Sequence, residues 1–300
     1  MTHGTTSAPS VPPAGTDTGT DTGTDTGTDE AGRELLAGFV AVWWQAVNDL
    51  SDLLEELDEA DWSAPTDLPG WDVKAVAAHV AHLEATLATG EEETAEVGQP
   101  AHVRSPMGLY TEIGVVTRRD ATPDSIINEI RSAATARHTA LLADPPTDPA
   151  ARPERIFGGV GWDWRTLLRN RALDVWMHEQ DVRRAVDRPG GMDSAAARHS
   201  AEYLAEALGY VLAKRVGAPA GTTLVLEMEG SAPYAFTVSD TGRGTRLDTP
   251  PADPTVRLLM DREAFIRLAG GRCEPEPGTL RLEGDEELGR RILGALATTP

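Results

Sequence analysis

The spacing of apolar residues changes once along this chain, and that change limits what it can fold into. Between residues 32 and 214 apolar side chains recur three or four apart, as amphipathic helices require; from Thr222 onward they alternate with polar ones, as half-buried strands require. A bundle of helices followed by a smaller α+β unit accommodates both periods, with the boundary near Gly217 to Gly221. The expected division is a leader over 1–30, a helical domain over 31–216 and an α+β domain over 217–300.

Four long helices are expected in the first domain. The first carries Leu35, Phe39, Val42, Trp43, Ala46, Leu50, Leu53 and Leu57 as its core stripe. Asp72 is placed to cap a second, running to about Thr89, whose stripe is Val76, Val80, Leu83 and Leu87, with His79 on the stripe and His82 at its edge. Thr122-Pro123 opens a third, with Ile126, Ile127, Ile130, Leu141 and Leu142; a fourth starts near Asp163 and stops before Arg188-Pro189-Gly190-Gly191. A fifth, over 193–214, is expected to lead away from the bundle. Strands are expected over 223–229, 234–238, 255–260 and 279–283, with short helices over 262–269 and 285–296.

Residues 1–30 are nearly all Thr, Gly, Asp, Ser and Pro, and such a segment lacks the apolar surface that would offset its ordering entropy, so it reads as a disordered leader. Its ladder of Asp17, Asp21, Asp25 and Asp29 lacks the Gly and terminal Glu of a calcium loop. The 48 acidic side chains outnumber the 27 basic ones for a formal net charge of -21, which disfavours nucleic acid and anionic membranes as partners. No apolar run approaches the roughly 20 residues needed to span a bilayer, and the first residues lack the basic-then-apolar order of a secretory signal, so a cytoplasmic location is expected. Cys273 is the sole cysteine, which excludes an internal disulfide and any cysteine-rich zinc module; Arg272, Glu274 and Glu276 beside it give no field that would favour a thiolate.

The chemistry is concentrated on the fourth helix. Asp174, His178 and Asp181 share one face, at spacings of four and three, beside Leu168, Val175 and Val182 where a core helix carries aliphatics. Ionisable groups in such a place need compensation. A divalent metal would supply it, and so would a salt-bridge network with Arg169, Arg171, Arg183 and Arg184; spacing leaves both open. His79 on the second helix is the candidate third ligand, though a histidine on an apolar stripe also reads as a hydrogen-bonded core residue. Trp71 and Trp176 read as core aromatics.

Leu68-Pro-Gly-Trp-Asp-Val-Lys, Ala78-His79-Val80, and Val175-Trp-Met-His-Glu-Gln-Asp-Val-Arg-Arg-Ala with its Arg-Pro-Gly-Gly resemble the mycothiol-dependent maleylpyruvate isomerase family, part of the wider DinB-like group of four-helix metalloproteins. The resemblance covers about residues 33–215. Phe265-Ile-Arg-Leu-Ala-Gly-Gly-Arg and Leu282-Glu-Gly-Asp are similar to the sterol-carrier-like domain often appended to it. The resemblance implies a DinB-like four-helix bundle followed by a smaller sterol-carrier-like α+β domain. It also implies a divalent metal, usually zinc, on His79, Asp174 and His178, with Asp181 orienting His178 or, as the lesser choice, joining the ligands. One departure is that the best-known isomerases carry Glu where this chain has Asp174, a side chain shorter by one methylene.

The same resemblance implies mycothiol, the low-molecular-weight thiol of actinobacteria, as cosubstrate. Its sulfur would attack a small electrophilic substrate, either in an isomerase cycle or as an S-transferase. Family isomerases draw an arginine from the C-terminal domain, which makes Arg246, Arg257 and Arg272 the candidates for holding thiol or substrate. Two other functions stay open: a non-catalytic small-molecule binding or regulatory protein, and a metal-dependent hydrolase with Glu179 or Asp181 as general base. A monomer is expected.

Overall fold

A computed structural model of the chain describes residues 25–274 and 278–299, with side chains from residue 30. The leader expected over 1–30 therefore lies largely outside the described residues, but its last part does not: α1 spans Asp25–Glu55 and begins earlier than the apolar pattern indicates. The helices that follow are α2 (Val73–Thr89), α3 (Pro106–Thr117), α4 (Pro123–Ala143), α5 (Trp164–Ala185) and α6 (Ala195–Glu206). Then come a three-residue turn, α7 (Leu208–Tyr210), and one wide π turn, Val211–Arg215. The second part contains β1 (Thr223–Met228), β2 (Tyr234–Val238), β3 (Gly244–Leu247), β4 (Val256–Met260), α8 (Arg262–Ala269), β5 (Leu280–Gly284) and α9 (Glu286–Gly294).

Local chemistry sets the helix starts. Asp72, Ser105, Thr122 and Asp163 each stand in extended backbone, and each side chain accepts the amide N–H three residues on, satisfying one donor that the first turn leaves without a helical partner. Because Asp72 and Asp163 begin α2 and α5, these two caps also fix where His79, Asp174 and His178 fall along their helices.

α1, α5, α2 and α4 pack in that cyclic order as a four-helix bundle. The buried seam of α1 is Leu36, Val40, Trp43, Val47, Leu50 and Leu54, a strict three-four alternation. Of the expected stripe, Trp43, Ala46, Leu50 and Leu53 are buried, but the seam is offset toward the helix start, where Leu35 is 40% exposed and Phe39 and Val42 are only partly buried. The cause is α6. Instead of leading away, it packs across α1 and α5, so α1 presents a second apolar face toward it. Leu142, expected in the core with Leu141, is exposed. Helix α3 was not expected; its Gly114 lies so close to His82 that a Cβ there would come within 2.4 Å of the histidine's own Cβ.

The sheet has the order β3-β2-β1-β4-β5. β1 pairs antiparallel with β2 and parallel with β4, and β5 closes the other edge antiparallel to β4. β3 was not foreseen because Gly-Thr-Arg-Leu is short, mostly exposed and without an apolar alternation. One hydrophobic cluster is continuous through both parts, from Trp43 and Trp176 of the bundle to Leu208, Leu226, Leu258 and Phe265. At the junction two backbones touch directly: a Cβ on Gly244 of β3 would lie 1.9 Å from the carbonyl oxygen of Gly209 in α7. Among the described residues, no helix is long and apolar enough to cross a membrane.

Candidate metal centre

α2 and α5 face each other in the bundle, and their packing brings three side chains to one point. His79 Nε2 lies 3.5 Å from Asp174 Oδ2, and His178 Nε2 lies 3.6 Å from Asp174 Oδ1. One ligand atom from each residue falls within 4.8 Å of the others. The imidazole rings meet edge to face, centroids 4.8 Å apart. The side chains of His79 and His178 are 3% and 7% exposed and that of Asp174 is 24% exposed, so the cluster opens to solvent on the carboxylate side.

Each member is held differently. Asp181, one turn beyond His178 and fully buried, accepts at 3.1 Å from His178 Nδ1, which selects the tautomer whose Nε2 lone pair faces the cluster. Asp174 accepts from Arg171 Nη1 at 2.7 Å. His79 is set by packing, with its ring 5.1 Å from that of Trp71 and its Nδ1 buried without a hydrogen-bond partner. Trp71 forms a wall instead of the core position expected for it: half-buried, it lies against both histidines and donates from Nε1 to Glu112 at 2.8 Å. Trp176 is in the core, 1% exposed.

The electrostatics follow from burial and partners. Burial pushes His79 down to about 4, with only partial opposition from Asp174, so the ring is neutral at physiological pH. Burial acts to raise the Asp174 carboxyl, but Arg171, His178 and His79 outweigh it and hold the group well below the usual carboxylate range. The balance is similar at Asp181, where Arg272 and His178 overcome burial and keep the carboxyl low. Two imidazoles with lone pairs turned inward and one permanent carboxylate form a mixed N/O donor set for a zinc-like divalent cation. Ligand atoms about 2.1 Å from a tetrahedral zinc stand roughly 3.4 Å apart, close to the two imidazole–carboxylate separations here, each of which is to a different oxygen of Asp174. The residues present fit the group.

The other candidates fall elsewhere or carry other partners. Arg272 crosses from the sheet domain and donates to both oxygens of Asp181, and to the Gly270 carbonyl at 2.6 Å. Arg246 is exposed on β3 over the ring of Tyr234, and Arg257 on β4 is paired with Glu227 and Glu283. Glu179 is fully buried with its Oε1 on Arg183 at 2.7 Å, beside the Gly191 turn and outside the cluster; burial raises its carboxyl, with Arg183 opposing. The salt-bridge network considered from sequence also exists, since Arg169, Arg171, Arg183 and Arg184 each hold a carboxylate: Glu206, Asp174, Glu179 and Asp181. It surrounds the three-residue cluster and leaves both histidines facing Asp174.

One buried residue beside the site was not read from sequence. Glu84, in the middle of the apolar α2, is fully buried and accepts from Arg171, Arg137 and Trp43. An acidic residue between Leu83 and Leu87 was the available clue. His82, also fully buried, pairs through Nδ1 with Glu93, which is bridged in turn to Arg118.

Family models describe two parts of the chain: the mycothiol maleylpyruvate isomerase N-terminal domain over residues 43–183, and the C-terminal domain of the same enzymes over residues 198–291. The second begins inside α6, ahead of the boundary expected near Gly217. No curated protein matches. Among solved structures, a crystal structure of the mycothiol-dependent maleylpyruvate isomerase is similar at 19% identity and a TM-score of 0.52, covering 83% of this chain and 92% of that one. A histidine-to-alanine mutant of that isomerase is similar at 19% identity and a TM-score of 0.50, covering 79% and 90%.

Proposed function

Because this chain belongs to the mycothiol-dependent maleylpyruvate isomerase family, we propose that it is a metal-dependent enzyme using mycothiol to attack a small electrophilic substrate, with isomerisation as its reaction. The observation that carries the reading is the convergence of His79, Asp174 and His178 from two helices on one point. Bound there, a divalent metal, zinc by the donor set, supplies a Lewis acid that lowers the pKa of a thiol toward neutrality.

The chain's own residues prepare that chemistry. His79 offers a neutral nitrogen through burial, and His178 is oriented by the acceptor at its Nδ1. Asp174 contributes one negative charge, so the set leaves a divalent site with net positive charge, which favours a thiolate over a thiol. Trp71 closes one side against water. In the isomerase cycle the thiolate adds to an activated carbon–carbon double bond and the electron pair moves into the adjoining carbonyl. The former double bond rotates, and the electron pair returns as the thiolate leaves, so nothing is oxidised and the thiol is recovered. An S-transferase would stop at the adduct.

Thiol dependence tests the reading. Turnover of an electrophile panel is expected with mycothiol, weak with glutathione and absent without thiol. The purified protein should carry one equivalent of divalent metal, lost in Asp174→Ala and His178→Ala. A metal-free native protein, or thiol binding unaffected by both substitutions, would overturn it in favour of a binding protein; turnover without any thiol would point to a hydrolase.

A further inference from the structure

Behind the cluster lies a buried ionic assembly that a three-ligand site does not by itself require. Arg171 and Glu84 have no exposed surface. Arg171 donates from Nε and Nη2 to the same Glu84 oxygen at 3.1 and 2.8 Å, and from Nη1 to Asp174 Oδ2 at 2.7 Å. Trp43 Nε1 donates to that Glu84 oxygen at 3.0 Å, and Arg137 Nη1 reaches the other one at 3.3 Å while its guanidinium stacks over Trp43. Removing four such groups from water is costly, and an apolar core of equal volume would serve stability as well or better.

We propose that Arg171, anchored by Glu84, is a positioning residue that presents a single oxygen of Asp174 to the metal; the inference rests on the metal reading above. The geometry is restrictive. Asp174 has one methylene and two torsions, and Arg171 three residues earlier grips its Oδ2. Arg171 itself cannot swing, because two of its N–H groups are on Glu84. Arg171 and His79 both stand against Oδ2, at 2.7 and 3.5 Å, while Oδ1 faces His178 Nε2 at 3.6 Å. The carboxylate is thereby confined to one-oxygen ligation, which preserves an open position for an incoming sulfur.

The test is metal binding and coordination, measured apart from turnover. Zinc affinity is read by competition with a chromophoric chelator, coordination by the visible spectrum of the cobalt-loaded protein, and folding by thermal melts. In the paired variant Arg171→Met/Glu84→Gln, in which Asp174 keeps only the two imidazoles beside it and Arg137 loses its carboxylate, zinc affinity is expected to fall about 10–100-fold. The cobalt bands should weaken toward the pattern of a five-coordinate, two-oxygen carboxylate site, and Arg171→Lys should recover part of the affinity. A folded pair with wild-type affinity and an unchanged cobalt spectrum overturns the proposal. Should the pair not fold, Glu84→Gln alone carries the same expectation with a smaller change, and unchanged affinity and spectrum there overturn it equally. If wild-type protein binds no metal, the metal reading has failed instead, and the two failures are told apart by that control.

Discussion

Arg272 meets Asp181 through two parallel contacts, Nε to Oδ1 at 3.2 Å and Nη2 to Oδ2 at 3.0 Å, and so ties the sheet domain to the carboxylate that orients His178. Both side chains are essentially without solvent, so the pair is strong where it stands and costly to break on one side. Arg272→Met is expected to lose on the order of 3 kcal/mol of stability, the lower end for an uncompensated buried charge, because Arg184 still holds Oδ1. Denaturant melts check this, and a loss below about 1 kcal/mol would mean the pair does little.

Asp181→Asn keeps the shape but weakens the acceptor at His178 Nδ1. Metal affinity should drop about 10–100-fold, and the melting temperature should fall as well because buried Arg272 loses its countercharge. Chelator competition measures it; equal affinity in the variant would show that Asp181 does not orient the ligand.

Metal loading should stabilise the fold. At a free zinc concentration one hundred times its dissociation constant the gain is about 2.7 kcal/mol, read as a raised melting temperature that a chelator reverses. His79→Ala should not respond to zinc at all. A response equal to wild type in that variant would remove His79 from the ligand set.

A pH dependence follows from His82. Burial lowers its pKa below 6.5, with Glu93 opposing and Arg118 assisting. The folded state therefore releases a proton that the unfolded chain holds below that pH, so this contribution to stability is intact above 6.5. It declines as the pH falls through 6.5 toward the lowered folded value. Melting temperatures of wild type and His82→Asn between pH 5 and 7.5 should diverge, the variant falling less steeply. Parallel curves would contradict the assignment.

Glu179→Gln separates the thiol reading from the hydrolytic one. With its carboxylate on Arg183 and outside the cluster, its amide replacement should leave thiol-dependent turnover within a few-fold of wild type. Loss of a hundredfold or more would make it a general base after all.

The bundle was legible because helix caps and apolar spacing are local: Asp72, Thr122 and Asp163 stand where the sequence places them, and the period change at Thr222 marks the start of the sheet. The three-residue cluster was legible for a related reason, since Asp174 and His178 share a face through spacing alone and His79 interrupts an apolar stripe. What escaped depends on contacts distant in sequence. Arg272 was one of three arginines with equal claims until the fold brought it to Asp181, and Glu84 gains its meaning from Arg171, 87 residues later. The offset of α1's seam has the same origin, because nothing within α1 announces that α6 will cover its second face.

The glycine pair at the junction has a reach beyond its own turn. At Gly244 a methyl group would meet the Gly209 carbonyl oxygen at 1.9 Å and is not tolerated unless β3 is pushed off α7, whereas at Gly209 it would stand 3.1 Å from the Phe236 ring and 3.3 Å from the Gly244 carbonyl oxygen. The sheet that would have to tilt belongs to the domain that supplies Arg272, from the segment after α8. An alanine at Gly244 should therefore loosen the seat of β3 on α7, which makes this joint a gauge of how faithfully the second half of the molecule is seated on the first.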